Sequence, residues 1–371
     1  MDVNDPLVLP SARQISGRCL LNGTDVPFIS FSVEAHAFRG AGTFDLTLAI
    51  TALPATMQML NWWAVQTTIR VELFISVSTR AGIDEKKHIT GNIDTWHFEP
   101  ARFVISAEGR DFAAKLIDAK TTGESFKNLT SSQIATMLAK RHSLTPVVSA
   151  TSRRVGEFYQ IDTAHLTGEQ TEWDLITTLG AIENFLVYVD GDNLHFEPKR
   201  DPAEAENYVI RWQPPGLLAY PQCNTSDDLS FSRALTISRG ITVEVLSWNA
   251  KLKNKQFVVS FPASAKSIAP GKATSQKQVY RVIRNGLSEK GAHALAQSIY
   301  RQVVQHEMKF SGSTAGDNLL MPGTHVRIEG TQSPFDQIYH CDRVRRTLSW
   351  ETGYTMDISG KNHSPALGVW L

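Results

Sequence analysis

At 371 residues, with 42% apolar and 20% charged side chains, the chain has the make-up of a folded protein of two or three domains. Thirty-seven lysines and arginines balance thirty-seven aspartates and glutamates, which excludes the basic excess of a protein that lives by gripping phosphates. Cys19, Cys223 and Cys341 are odd in number and far apart, which excludes a disulfide framework and fits a reducing compartment. The opening "MDVNDPLVLPSARQ" has neither the basic nor the apolar region of a secretory signal. No run approaches the roughly 18 apolar residues of a spanning helix, so the expectation is a protein made in a cytoplasm with no stable membrane insertion. The N-x-[ST] triplets at Asn22, Asn128, Asn224 and Asn362 then read as chance.

From Phe28 the pattern alternates, with Ile29, Phe31, Val33, Ala35 and Ala37 on one side and Ser30, Ser32, Glu34 and His36 on the other. That period of two marks a half-buried strand. A turn at "FRGAG" leads into "TFDLTLAI", with Phe44, Leu46, Leu48 and Ile50 on one face; the pair reads as an antiparallel hairpin with one wet face. "ALPATMQMLNWWAV" breaks the alternation and sets Met57, Leu60 and Trp63 or Ala64 at helical spacing. "TTIRVELFISVS", "HITGNIDTWHFEP" and "ARFVISAEG" return to strands, and residues 15–110 read as a small barrel or sandwich of about five or six strands.

Thr130 and Gln133 form a T-x-x-Q capping box. Ile134, Met137 and Leu138 give the following helix its apolar stripe, Lys140, Arg141 and His142 complement its dipole, and Pro146 closes the segment. A second helix starts at Thr171 with Asp174 three residues on, burying Trp173, Ile176, Leu179 and Ile182. "NFLVYVDGDNLHFEP" then reads as a hairpin about an Asp190-Gly191 turn, and "KRDPAEAENY" as a polar linker.

Strands return in "LSFSRALTISRGITVEVLSWN" and "KQFVVSFPA", followed by the loop "SAKSIAPGKATSQK". A long helix is expected from a Ser288 cap to about Met308, with Ala292, Leu295, Ala296, Ile299 and Val303 on one face. "LLMPGTHVRIEG", "QIYHCDRVRRTLSW" and "GYTMDIS" close the chain as strands. There is an internal echo: "GNIDTWHFEPARFVISAEG" and "HCDRVRRTLSWETGYTMDISG" are hairpins of similar length, each with an aspartate, Asp94 or Asp342, near its start. It suggests that one unit occurs twice.

No H-E-x-x-H, paired C-x-x-C, P-loop or G-x-S-x-G pattern is present. "GAGTFD" joins two strands and reads as a turn, and "GSTAG" from Gly312 has threonine where a nucleophile elbow needs serine. His88 and His97 read as lying on different strands, and His340 and Cys341 point to opposite faces, so no metal set is assigned. Asp84-Glu85 and Asp227-Asp228 read as solvated turn carboxylates. Arg343 and Arg345 share a strand face with Thr347, a solvated edge or a set of intersubunit ion pairs, or else a polyanion contact. Trp62-Trp63 with Met59 is the densest apolar cluster. It reads either as a helix packed on its own barrel or as a subunit contact. No catalytic, cofactor or metal site is assigned.

In order along the chain, these segments resemble the central hub proteins of contractile phage-tail baseplates, related to the hub part of type VI secretion spikes. The likeness is carried by "ITGNIDTW…VISAEGRDFAAKLIDAKT…FKNLTSSQIATMLAKRHSL" with Gly109, and by "TEWDLITTLGAIENFLVYVDGDNLHFEP" with Trp173, Asp190 and Gly191. Towards the end it rests on Pro322-Gly323, Gly330, Tyr339 and the Gly353-Tyr354-Thr355 turn. The resemblance implies a β-rich α+β fold with two tail-tube-like antiparallel β-barrels, a small α+β middle domain and a long helix in the C-terminal part. Its domains would be residues 1–113, 114–205 and 206–371, the last with a loop and helix inserted at about 262–310.

It further implies a homotrimer that joins a sixfold tail tube to a threefold central spike, alongside baseplate wedge and tape measure proteins. DNA would pass transiently through the lumen, and the place of action would be the virion's tail, assembled in the host cytoplasm. The hub of a non-contractile tail, a tailocin or a type VI-like device would share the pattern. From another class, a cell-wall hydrolase or glycan-binding tail component would require paired carboxyls roughly 5–10 Å apart.

Overall fold

The computed structural model describes residues 14–37, 40–79, 82–121, 126, 128–152, 154–155, 171–198, 208–212, 228–234, 241–249, 255–262, 278–283, 287, 289–304 and 308–362. The expected Ser288 cap, Cys223, Asn224, Asp227 and residues 199–207 of the polar stretch lie outside them. Most of the described chain is antiparallel β-structure with five α-helices, a β-rich α+β arrangement.

β1 (Ile15–Leu21) and β2 (Thr24–Val26) turn on Asn22-Gly23, both at positive φ, the backbone that a tight hairpin demands. β3 (Ser30–His36) and β4 (Thr43–Ala49) form the alternating hairpin, although Ile29 stays exposed at its mouth. A single 3-10 turn and α1 (Leu60–Val65) lead to β5 (Arg70–Thr79), β6 (Gly82–Glu99) and β7 (Val104–Asp111). β6 runs straight through "GN", so His88 and His97 share one strand. Gly91 stays extended because β7 presses on it: a Cβ there would lie 2.0 Å from the Arg110 carbonyl oxygen.

The middle segment holds α2 (Ala113–Asp118), β8 (Leu129–Thr130), α3 (Ser131–Arg141), β9 (Thr145–Val148), β10 (Arg154–Val155), α4 (Glu172–Glu183), β11 (Phe185–Asp190) and β12 (Asn193–Pro198). The capping box forms: Thr130 Oγ1 accepts the Gln133 N–H at 3.3 Å and Gln133 Oε1 accepts the Thr130 N–H at 2.9 Å. Ile134, Ala135 and Leu138 meet Trp173, Ile176 and Leu179 in one core with Leu194 and Phe196, while Ile182 points outward. The basic end of α3 does more than answer the dipole. Arg141 and His142 both donate to the buried Glu172 carboxylate in the first turn of α4, His142 Nε2 at 2.5 Å.

β13 (Tyr208–Arg211) and β14 (Ser230–Arg233) follow, so Tyr208 is a buried strand residue, not the end of a linker. β15 (Ile241–Asn249), β16 (Lys255–Phe261) and β17 (Gln278–Ile283) form their own three-stranded sheet, packed on α5 (Glu289–Val304) through Val243, Val245, Ala292 and Ala296. Ala292 and Ala296 let the helix approach the sheet closely. α5 ends before Met308, which opens β18 (Met308–Ala315); β19 (His325–Glu329), β20 (Ile338–Ser349) and β21 (Gly353–Asn362) complete the chain.

Two tube-like barrels are expected; the strands of both halves pair in one 13-stranded sheet, in which no ring of strands closes among the described residues. Its path is β14-β18-β21-β20-β3-β4-β7-β6-β5-β1-β2, with β19 on β20 and β13 on β19. The order β14-β18-β21-β20 is followed by β3-β4-β7-β6, a strand set repeated, and β19 stands to β20 as β5 stands to β6.

The repeat holds residue by residue. Each long hairpin breaks register at its aspartate, at Asp94 between Ile93 and Thr95 and at Asp342 between Cys341 and Arg343. Just before each bulge an amide reaches across to a carbonyl, Ile93 to Ile69 at 3.0 Å and Cys341 to Thr324 at 2.9 Å. Opposite stand glycines packed under a phenylalanine from the next strand. A Cβ on Gly109 would lie 2.4 Å from the Phe44 ring, and one on Gly360 would lie 2.3 Å from the Phe310 ring.

Those contacts are inside the two sheet cores, where Phe31, Phe44, Leu46, Leu73 and Ile75 in the first half and Phe310, Ile328, Val344 and Met356 in the second are buried. Each such side chain contributes about 1.5–3 kcal/mol by burial. Gly109→Ala and Gly360→Ala, each measured by urea unfolding, are therefore expected to cost about 2–4 kcal/mol, whereas Gly40→Ala, with only the His36 ring at van der Waals distance, is expected to change stability little.

Candidate functional site

The two repeats meet where β20 pairs antiparallel with β3, from Arg343 opposite His36 to Ser349 opposite Ser30. β20 serves β19 before its bulge and β3 after it, so Asp342 marks the branch; the Ala37 N–H extends the seam by donating to the Asp342 carbonyl at 2.9 Å. A bulge bends and twists its strand, which frees the second half of β20 for a new neighbour.

Alternation then divides the seam into two faces. Outward, Arg345 donates to Asp45 and to the Ser32 hydroxyl, each at 3.2 Å, and Ser32 donates to Asp45 at 2.7 Å. Arg343 lies 3.6 Å from Glu34. The "RVRR" strand is thus central in the sheet, and its outward arginines pair within the chain, across the joint between repeats. Ser30, Thr47, Thr347, Thr355 and Ser359 add hydroxyls to this face, beside His36 and Asp357.

Inward, Val344, Arg346 and Leu348 enter the cores. Arg346, 2% exposed, donates to the carbonyls of Asp317 (3.1 Å) and Leu320. Asp317 is held from all sides: its carboxylate accepts the N–H groups of Leu319 and Leu320 and the Tyr208 hydroxyl, and its carbonyl accepts the Tyr354 hydroxyl at 2.7 Å. Asn318 carries the connection into the first repeat, where its amide donates to the carbonyls of Ile75 and Asp84, both at 3.0 Å, and its oxygen meets His88 Nε2 at 2.9 Å. Burial, with Arg346 nearby, lowers the His88 pKa to about 3, so the ring is neutral at physiological pH; burial also lowers Lys86.

This group reads as a structural latch. Burial pushes the thiols of Cys19 and Cys341 up to about 12, which keeps both as inert core groups. Among the described residues no group of three or more His, Cys, Asp or Glu side chains could hold a metal ion, and no helix is long and apolar enough to cross a membrane.

The residues singled out in the sequence are spread over the fold. Trp63 is 1% exposed, donates its Nε1–H to the Met57 carbonyl at 2.8 Å and packs against Trp96, so it serves the first core. Trp62 is half-buried beside it, while Met59 is 66% exposed, with Leu60 and Val65 also at the surface. Trp173 lies in the middle core, and Asp190 ends β11 opposite Asn193, so the β11–β12 turn is Gly191-Asp192, one residue later than expected, with Gly191 at positive φ. After Pro322, the N–H of Gly323 donates to the Cys341 carbonyl at 2.8 Å. Tyr339 is buried in the second core, and Gly353 turns β20 into β21. Tyr354 alone of this set joins the latch, lying over Gly316, where a Cβ would meet its ring at 2.3 Å. Glu85, exposed as expected, sits on β6 and pairs with Arg18 at 2.9 Å.

No family model matches the chain, and no curated protein matches it by sequence. Solved structures do match by fold. A tail protein from Neisseria meningitidis MC58 superposes with a TM-score of 0.64 at 14% identity, over 94% of this chain and 96% of that one. The prophage MuSo2 43 kDa tail protein from Shewanella oneidensis gives 0.62 at 14%, over 94% and 97%. The E. coli c3393 protein, described as a component of the type VI secretion system, gives 0.50 at 11%, over 93% and 77%. The fold is that of phage tail proteins and their type VI counterparts.

Asn318→Ala removes two donors from buried strand carbonyls and is expected to cost about 1–3 kcal/mol in urea unfolding. A change within error would show that the latch does not hold the repeats together.

Proposed function

We propose that the chain is a structural, non-enzymatic hub of a phage-type tail baseplate. It acts as a homotrimeric adapter between a sixfold tail tube and a threefold central spike. The observation that carries this reading is the doubled strand order β14-β18-β21-β20 and β3-β4-β7-β6. One chain supplies two copies of a unit, so three chains supply six, and partners of unequal symmetry can both be matched. The three-part division at residues 1–113, 114–205 and 206–371 belongs to the same reading.

The outward face of the seam supports a conduit through the centre. Arg343 and Arg345 are engaged by Glu34 and Asp45, and a face on which basic groups are neutralised holds passing phosphates weakly. On this reading the partners are the tail tube, central spike, wedge and tape measure proteins, with DNA in transit, in a virion tail assembled in the host cytoplasm. The exposed Met59, with Trp62 beside it, is a subunit contact. The fold's likeness to a type VI component favours one second reading, the hub of a tailocin or secretion-like device built the same way.

Light scattering of the purified chain across a dilution series tests the proposal. A mass three times the 41.1 kDa of one chain is the expected result, with no clearing of cell-wall substrate. A monomer throughout the series contradicts the adapter.

A further inference from the structure

The two repeats make one matched bond with different chemistry. Two residues before the matched phenylalanines Phe44 and Phe310 stand Gly42 and Met308, and two after the matched glycines Gly109 and Gly360 stand Asp111 and Asn362. In the first repeat the Gly42 N–H donates to Asp111 Oδ2 at 2.7 Å, and in the second the Met308 N–H donates to Asn362 Oδ1 at 3.4 Å. The neighbouring ion pair is kept as well, Arg110 with Asp94 at 2.6 Å and Lys361 with Asp342 at 3.0 Å. The second repeat therefore shows that an uncharged amide suffices for this bond. The carboxyl of the first repeat adds a proton that can be lost.

Asp111 also stands where the first repeat becomes the middle segment. It ends β7, and its Oδ1 accepts the Ala113 N–H at 2.8 Å as the chain enters α2. A Cβ on Gly42 would lie 2.8 Å from its Oδ2, and Ala41, next in the chain, belongs to the middle core. One side chain thus ties the entry to β4, the end of β7 and the start of α2 into a corner.

We propose that Asp111 is a proton-operated fastener of this corner: neutral, it holds the first repeat to the middle segment with the bond that Asn362 makes in the second repeat, and ionised, it lets the corner open. No lysine, arginine or histidine bonds its carboxyl among the described residues. The charged groups on the elements around it are engaged elsewhere. Arg110 on β7 forks to Asp94 and Asp118, Arg70 on β5 forks to Asp192, and Lys87 on β6 lies 3.9 Å from Glu72. Lys115 on α2 lies over the Phe112 ring, and Glu34 on β3 pairs with His36 and Arg343. Asp190, at the end of β11, adds a like charge.

Burial raises the Asp111 carboxyl to about 7, helped by Asp190 and opposed by the two N–H donors and Arg110. Opening the corner to water returns it to the ordinary value near 4. The closed corner therefore binds the proton more tightly and is favoured at low pH. Each unit of pH between about 4 and 7 moves the balance toward the open form by up to about tenfold, and above about 7 the effect levels off.

Backbone hydrogen exchange of residues 111–118 in the purified chain, corrected for the pH dependence of the chemical step, tests this. Wild type is expected to open more at about pH 7.5 than at about pH 5, by roughly tenfold or above, while Asp111→Asn stays level. Residues 343–349 of the seam serve as the internal reference. Carbon-13 titration of the wild-type Asp111 carboxyl, assigned through its backbone, needs no variant and should show a midpoint near 7. Asp190→Asn should lower that midpoint. A midpoint below about 5, in the ordinary carboxylate range, overturns the proposal. So does the same pH dependence in wild type and Asp111→Asn, or a raised midpoint with no change in the exchange of 111–118.

Discussion

The antiparallel pairing of β20 with β3 is the constraint from which the rest of the molecule follows. It turns two strand sets into one continuous sheet. A strand edge left open is a liability that proteins cover or blunt, and here the second repeat covers the first repeat's β3 within the same chain. Interdigitation reinforces the pairing: Leu348 and Tyr354, from the second repeat, are counted among the buried side chains of the first core. At the hairpin tip, the Trp350 indole stacks on Phe28 and donates to its carbonyl at 3.2 Å. The two repeats therefore share a core as well as a sheet.

Beneath the seam the molecule accepts a cost that an apolar core would avoid. A buried guanidinium is tolerated only when its hydrogen bonds are met. Arg346 meets carbonyls of the Asp317–Leu320 loop, and that loop is in turn fixed by Tyr208, Tyr354 and the Asn318 bridge to β5 and β6. Directional bonds of this kind specify one mutual arrangement of the repeats, where apolar packing would tolerate neighbouring ones. On the proposed role as an adapter between symmetric partners, a fixed angle between repeats matters more than the last increment of stability.

Much of this was legible in the sequence where the pattern is local. The alternation at Phe31–Val33 and Phe44–Leu48, the Thr130 capping box and the β11–β12 hairpin depend on neighbours within a few residues, and each formed, the hairpin turning one residue later than read, on Gly191-Asp192. The hairpin echo about Asp94 and Asp342 proved to be a shared bulge with a shared glycine opposite it. What failed was long-range. His88 and His97 read as lying on different strands until β6 is seen to run through Gly91 under β7, and Arg343 and Arg345 read as an edge until β3 is placed beside them. The latch left only a faint local mark, the aspartate of "DNLL" capping its own following amides. Nothing in one dimension joins Asn318 to Ile75.

The account rests on the claim that the β20–β3 seam between the repeats is closed inside the chain. Backbone hydrogen exchange read by mass spectrometry, below and above the concentration of assembly, tests this most directly. Amides of residues 343–349 should exchange slowly at both concentrations, because their partners lie in the same chain. Fast exchange of 343–349 in the dilute chain would contradict it.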